Sequence, residues 1–290
     1  PPRSTLFPYT TLFRSIKYLK PQPLMRKGVF MKRSTPVTLV AVSLLIIAGL
    51  LVAGCTTTQQ APEETTLTVF TAASLTGAFT DIGKAYEAEN ENVKVDFVFD
   101  GSQTLRTQIE QGANPDIFVS ANPKHMRALQ DGGFMDDDTV TPFLGNSLAL
   151  VVPADNPAGI TDLADLANPG VKLVIGTKDV PFGDYTRQML DKMAADPEYG
   201  EAYRDAVMAN VISEETAVTS VLPKLVLGEA DASFVYKSDV MKGDQDKMTR
   251  LDIPSEYNVM ATYPLGILAE SPDKAEAESF IAFVRGPDGS

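Results

Sequence analysis

The chain has no tryptophan, one cysteine and one histidine among its 290 residues. A single cysteine excludes an intramolecular disulfide framework, so any domain must be held by its apolar core. The histidine, His125 in Asn-Pro-Lys-His-Met, has no second His or Cys beside it, which argues against a zinc site and reads as a surface helix position. No serine gains an imidazole base from it, which weighs against a hydrolase. Cations are scarce too, with 25 Lys and Arg against 38 Asp and Glu and a net charge of −13. Eight of those cations lie in residues 1–54, which carry no acid, so the balance from Cys55 onward deepens from −13 to −21. Such an acidic surface argues against nucleic acid as a partner. It also leaves any anionic ligand to local dipoles and hydrogen bonds.

The N-terminal order is that of an exported protein. Residues 1–30 open with PPRSTLFPYTTLFRS, which resembles translated adaptor sequence and is set aside. Residues 31–54 run from Met-Lys-Arg-Ser-Thr-Pro through an apolar stretch, Val37 to Val52, to Ala53-Gly54. A basic start, a short apolar region and small residues before a cleavage point mark a secretory signal. The stretch falls short of the roughly twenty residues that span a bilayer, an uncleaved anchor helix being the alternative. Leu51-Val-Ala-Gly-Cys55 resembles a lipobox, so Cys55 is the expected lipid attachment. The mature chain is then extracytoplasmic and tethered to the outer face of the membrane. Residues 55–66 are polar, without a core pattern, and read as a flexible spacer.

Strand and helix signals then alternate. Leu67 to Phe70 reads as a strand, Thr71-Ala-Ala-Ser74 as a turn of small residues, and Leu75, Ala78, Phe79 and Ile82 as one helix face. Ser74 falls at the expected N-cap, where free N–H groups and the positive dipole end favour an anion. An ordinary capped helix fits the same stretch. Val93 to Phe99 is a second strand, and Asp100-Gly-Ser102 turns into a helix carrying Leu105 and Ile109. Pro115 to Ser120 is a third strand, followed by a helix from Pro123 and a solvated turn at Asp136-Asp137-Asp138, which lacks the ligand spacing of an EF-hand. Leu148 to Pro153 and Lys172 to Gly176 are apolar strands, the latter leading to a helix that opens at Pro181-Phe182-Gly183. Ser213-Glu-Glu-Thr216 has the form of a capping box ahead of a helix with Val218, Val221, Leu222 and Leu225. Ala232 to Tyr236 is a strand whose end presents a phenol, either to a ligand or simply at a sheet edge. Leu251 to Ile253 reads as an edge strand, Tyr263 to Leu268 as a returning strand and Ala275 to Val284 as a final helix.

This alternation predicts an α/β fold with mostly parallel sheets. There are too many units for one small sheet. Two lobes are expected, residues 67–147 with 258–290 and residues 148–257, joined by two crossover strands. The strand-to-helix turns then face a cleft between the lobes.

Six blocks carry a resemblance: Val69-Phe-Thr-Ala-Ala-Ser-Leu75, Ser102-Gln-Thr-Leu-Arg-Thr-Gln-Ile109, Asn114-Pro-Asp-Ile-Phe-Val-Ser-Ala121, Leu144-Gly-Asn-Ser-Leu148, Val180-Pro-Phe-Gly183 and Phe234-Val-Tyr-Lys-Ser-Asp239. In order and spacing they resemble the molybdate-binding proteins of ABC transporters, from about Leu67 to Pro287. The resemblance implies a type II periplasmic-binding-protein fold that closes over molybdate or tungstate, with no further cofactor and no catalysis. It implies a monomer that hands its ligand to a membrane permease. It assigns hydroxyl and backbone N–H donors to Ser74 and Ser102, backbone N–H donors to Phe182 and Val218, and a phenol to Tyr236. Phe182 stands where the family often has Ala, which bears on pocket shape. Some relatives are thought to add carboxylates to the metal's coordination, a role that would fall here to Asp184 or Glu215 and is set behind the tetrahedral reading. The family usually continues past Ser290, so a truncated fragment is expected. A pocket of donors without acceptors would reject hydrogen phosphate, whose proton needs an acceptor. The alternatives are a receptor for sulfate or another small oxyanion, and an extracytoplasmic hydrolase.

Overall fold

The computed structural model describes residues 64–240 and 246–286. The signal segment, Cys55 and the spacer up to residue 63 lie outside the described residues. Nine strands form a mixed sheet: β1 Thr65–Ala72, β2 Val93–Asp100, β3 Ile117–Val119, β4 Thr141–Pro153, β5 Leu173–Gly176, β6 Val211–Glu215, β7 Ala232–Tyr236, β8 Met248–Asp252 and β9 Met260–Ile267. Their order is β2-β1-β3-β9-β4-β7-β5-β6, with β8 beside β4. The seven helices among the described residues are α1 Thr76–Glu89, α2 Ser102–Glu110, α3 Pro123–Asp131, α4 Pro181–Ala195, α5 Gly200–Ala209, α6 Val221–Val226 and α7 Lys274–Arg285.

The α/β class expected from the alternation is the class observed. Its sheet is less parallel than expected. β1 pairs in parallel with β2 and β3, and β5 with β6 and β7. β4 pairs antiparallel with β7, β8 and β9, and β9 antiparallel with β3. The crossover units supply the parallel pairs, and the two long strands that pass between them run against their neighbours. β4 changes partner midway: Thr141 to Ser147 pairs with β9, Leu148 to Pro153 with β7 and β8.

Period-two alternation decides which core each strand side chain enters. On β1, Leu67 and Val69 join the larger cluster with Phe79 of α1 and Phe280 of α7, while Phe70 enters a second cluster with Leu105 and Ile109 of α2. β3 divides in the same way, Ile117 and Val119 to one side and Phe118 to the other. Both faces of this half-sheet are therefore covered. That is why Val69 to Ala72 are buried without a break. Tyr86 of α1 stands edge-on to Phe280 of α7 at 5.1 Å, and its hydroxyl donates to Glu276. In the other half, Leu148 to Pro153 and all of β7 are buried.

Several local expectations are corrected. Ser213 to Glu215 belongs to β6 and not to a helix cap, because the segment pairs in parallel with β5. Its Glu215 carboxylate is held by Lys224 and by Ser213 Oγ at 2.6 Å, which removes it as a free metal ligand. His125 is not on the surface; it is 1% exposed. The first turn of α3, capped by Asn122 Oδ1 accepting the His125 N–H at 3.3 Å, rolls the ring inward.

Candidate functional site

The five candidate residues all follow the carboxyl ends of strands. Ser74 follows β1, Ser102 β2, Phe182 β5 and Val218 β6, and Tyr236 closes β7. They line one small cavity between the two half-sheets. Ala72, Ala73, Gly101 and Ala121 complete the first wall, and Val180 and Pro181 the second. Small residues and backbone thus form most of the lining, which lets a ligand approach main-chain N–H groups closely.

Each residue reaches the cavity by its own local device. β1 gives way to a 3-10 turn, Ala73–Leu75, before α1 begins, so Ser74 sits inside that turn and makes no cap to α1. This corrects the expected N-cap. The tighter turn leaves its Oγ free to meet the Tyr263 hydroxyl, 3.1 Å away. Ser102 is the first residue of α2 and is 1% exposed. Its Oγ accepts the Ala121 N–H at 3.0 Å, which leaves its own proton to be donated elsewhere. α4 opens with Pro181, and its first backbone bond runs from Asp184 N–H to Val180 O at 2.9 Å. The Phe182 and Gly183 N–H groups therefore belong to the unpaired first turn at the positive dipole end. The Phe182 side chain packs in the larger core cluster, so its bulk is absorbed by the lobe interior. Gly183 allows that start to lie against β5, since a Cβ there would meet Thr177 O at 2.2 Å. Val218 opens a 3-10 turn, Val218–Ser220, ahead of α6.

The Tyr236 hydroxyl is fully enclosed, makes no well-formed hydrogen bond among the described residues and has the Tyr263 phenol beside it. Burial pushes its pKa well above the usual phenol range, so it remains a protonated donor. A buried donor on a cavity wall whose bonding is not fully met is suited to an acceptor inside the cavity. One charged side chain lines the cavity, and it is Asp100, whose Oδ1 accepts the Gly101 N–H at 2.6 Å. The expectation of a wall without acceptors is corrected to that extent.

Sequence reasoning missed the groups that join the two walls. Gln103 Nε2 donates to Thr216 O at 2.7 Å, and a Cβ on Gly101 would meet the same carbonyl at 2.2 Å. His125 Nε2 lies 2.8 Å from Asp179 O, an acceptor, so Nε2 carries the proton. Burial lowers the His125 pKa to about 4, which keeps the ring neutral. Lys124 reaches the Asp179 carboxylate at 3.5 Å. A small-residue turn shows in a sequence; its partner a hundred residues away does not.

A cleft between two α/β halves, lined by strand-end turns and spanned by two long strands, defines the class of solute-binding proteins. The chain belongs to the family described as bacterial extracellular solute-binding protein, whose model matches residues 67–290. The molybdate-binding protein ModA of Mycobacterium tuberculosis H37Rv is 35% identical over 253 residues, covering 86% of this chain and 92% of its own. The molybdate-binding protein ModA of Escherichia coli K12 is 30% identical over 234 residues, covering 79% and 86%. Among solved structures, the periplasmic molybdate-binding protein of Azotobacter vinelandii superposes with a TM-score of 0.67 at 20% identity, covering 77% of this chain and 94% of its own. The sulfate-binding protein SubI of Mycobacterium tuberculosis H37Rv gives 0.66 at 18%, covering 78% and 83%. These two likenesses establish the fold, and because their ligands differ, the fold alone does not select one.

Proposed function

We propose that this chain captures molybdate or tungstate as the free tetrahedral oxyanion and delivers it to the permease of an ABC transporter. The observation that carries the reading is that Ser74, Ser102, Phe182, Val218 and Tyr236, from five separate segments, line one cavity whose lining has no Lys, Arg or His. A hydrogen bond to a charged group contributes roughly 1.5–3 kcal/mol, so five donors can offset the desolvation of a dianion. The net charge of −21 beyond residue 54 makes such local donors necessary. The similarity to molybdate-binding relatives supports the same ligand.

The chain acts as a binding protein: His125 is not among the residues lining the cavity and its Nε2 is bonded to Asp179 O, and the one carboxylate on the wall, Asp100, already accepts the Gly101 N–H. Anchoring through Cys55 and a monomeric state complete the proposal. Calorimetric titration with molybdate, tungstate, sulfate and phosphate in parallel tests it. Saturable 1:1 binding of molybdate or tungstate is expected, with phosphate silent. Tight sulfate binding without molybdate binding would replace the reading with the sulfate alternative. The phosphate arm also reports on Asp100, the acceptor on the wall.

A further inference from the structure

We infer that Tyr263 is a positioning residue of the anion site: its hydroxyl occupies the acceptor side of Ser74 and so commits the Ser74 proton to the ligand. The inference rests on the oxyanion reading above and adds a residue that neither the strand-end turns nor the cavity lining identifies.

A serine hydroxyl is ambivalent, with one proton to give and two lone pairs to accept. A site that must grip a fully deprotonated anion gains when that ambivalence is removed before the ligand arrives. Ser102 loses it locally, because the Ala121 N–H is a donor that cannot reverse, 3.0 Å from Oγ. Ser74 has no backbone donor of that kind. Its Oγ faces the Tyr263 hydroxyl at 3.1 Å across a separation of 189 residues, a bond in which either oxygen can donate. An anion beside Ser74 decides the direction. Its oxygens draw the serine proton, and the phenol then donates into the vacated lone pair, the cooperative sense of a hydrogen-bond chain.

Tyr263 is built for that task. It is 0% exposed and lies on β9 where that strand pairs with β4 at Leu144, so its backbone is fixed between the halves. Its ring meets that of Tyr236 edge-on at 5.7 Å, which confines it against the opposite wall. Burial raises its pKa, with hydrogen bonding to Ser74, Asn146 and Tyr236 pulling the other way, so the phenol keeps its proton at any working pH. One buried ring therefore steadies a hydroxyl from the first wall while packing on the phenol of the second.

The test is a double-mutant cycle in the purified protein with Tyr263→Phe, Ser74→Ala and both together, read by molybdate titration. Tyr263→Phe keeps the ring and removes only the hydroxyl, and about a tenfold loss of molybdate affinity is expected. With Ser74 already removed, the same change is expected to cost less than twofold, because the group it acts through is gone. A selectivity arm uses hydrogen phosphate: Ser74 regains an accepting orientation in Tyr263→Phe, so the molybdate-to-phosphate ratio falls. Equal losses in both backgrounds would overturn the inference and assign Tyr263 a structural role. Undiminished affinity and selectivity in Tyr263→Phe would overturn it as well. If the unaltered protein binds no tetrahedral oxyanion, the oxyanion reading itself fails, and the two failures are separated by that control.

Discussion

On the proposed reading, the two walls of the cleft offer the same chemistry by different means. The first wall carries two serine hydroxyls, Ser74 3.1 Å from the Tyr263 hydroxyl and Ser102 accepting the Ala121 N–H. The second carries the backbone at helix and turn starts, Phe182 and Val218, and one enclosed phenol, Tyr236. A side-chain donor can be deleted by one substitution without moving the chain. A backbone donor survives any substitution that preserves the turn, and its side chain is free to serve the core. Binding chemistry and stability are therefore mixed in different proportions on the two walls.

Phe182→Ala probes that difference most strongly. The ring is 1% exposed in the core cluster, so its loss is expected to lower stability by about 3–5 kcal/mol in urea unfolding. The N–H remains, so molybdate affinity in the folded protein changes little. A large affinity loss with unchanged stability would mean that the side chain, not the backbone, serves the site.

His125 joins the walls, and its effect depends on pH. Its pKa is about 4 in the folded protein against 6.5 when solvated, chiefly through burial. The unfolded chain thus binds a proton that the folded one refuses between those values. The His125 contribution is whole above pH 6.5 and is lost as pH falls toward 4, up to about 3 kcal/mol. Comparing unfolding free energies of the native chain and His125→Gln across that window should reveal this slope in the former alone. Parallel curves would show that the ring takes up a proton without penalty.

Ser102→Ala is expected to have a smaller effect on the fold than Phe182→Ala, because it orphans only the buried Ala121 N–H, at a cost of about 1–3 kcal/mol. Molybdate affinity should fall by the roughly 1.5–3 kcal/mol of a hydrogen bond to a charged group, by titration of the folded protein, with a modest drop in melting temperature. A comparable loss from Phe182→Ala in the same assay would erase the distinction between the walls.

Much of the fold was readable because its signals are local. The α/β alternation and the strand-to-helix turns at Ser102 and Pro181 follow from periodicity and turn chemistry within ten residues. Ser213 to Glu215 misled because a capping box and a strand edge share the same polar composition; pairing with β5 decides between them. Ser74 was placed one device off, in a 3-10 turn rather than at a helix cap, because the two differ only in backbone geometry. His125 misled because a lone polar residue on a helix is usually solvated, and only packing against the Asp179 carbonyl makes its burial tolerable.

The sequence by itself determined the acidic balance, the order of strands and helices, and the small residues at each strand end. Those properties depend on neighbours along the chain. The tertiary structure alone decided that five turns share one cavity, that β4 changes partner after Ser147, and that Tyr263 reaches Ser74 from 189 residues away. Such contacts depend on how the long strands return across the sheet, and no local pattern encodes a partner that only folding brings within hydrogen-bonding distance.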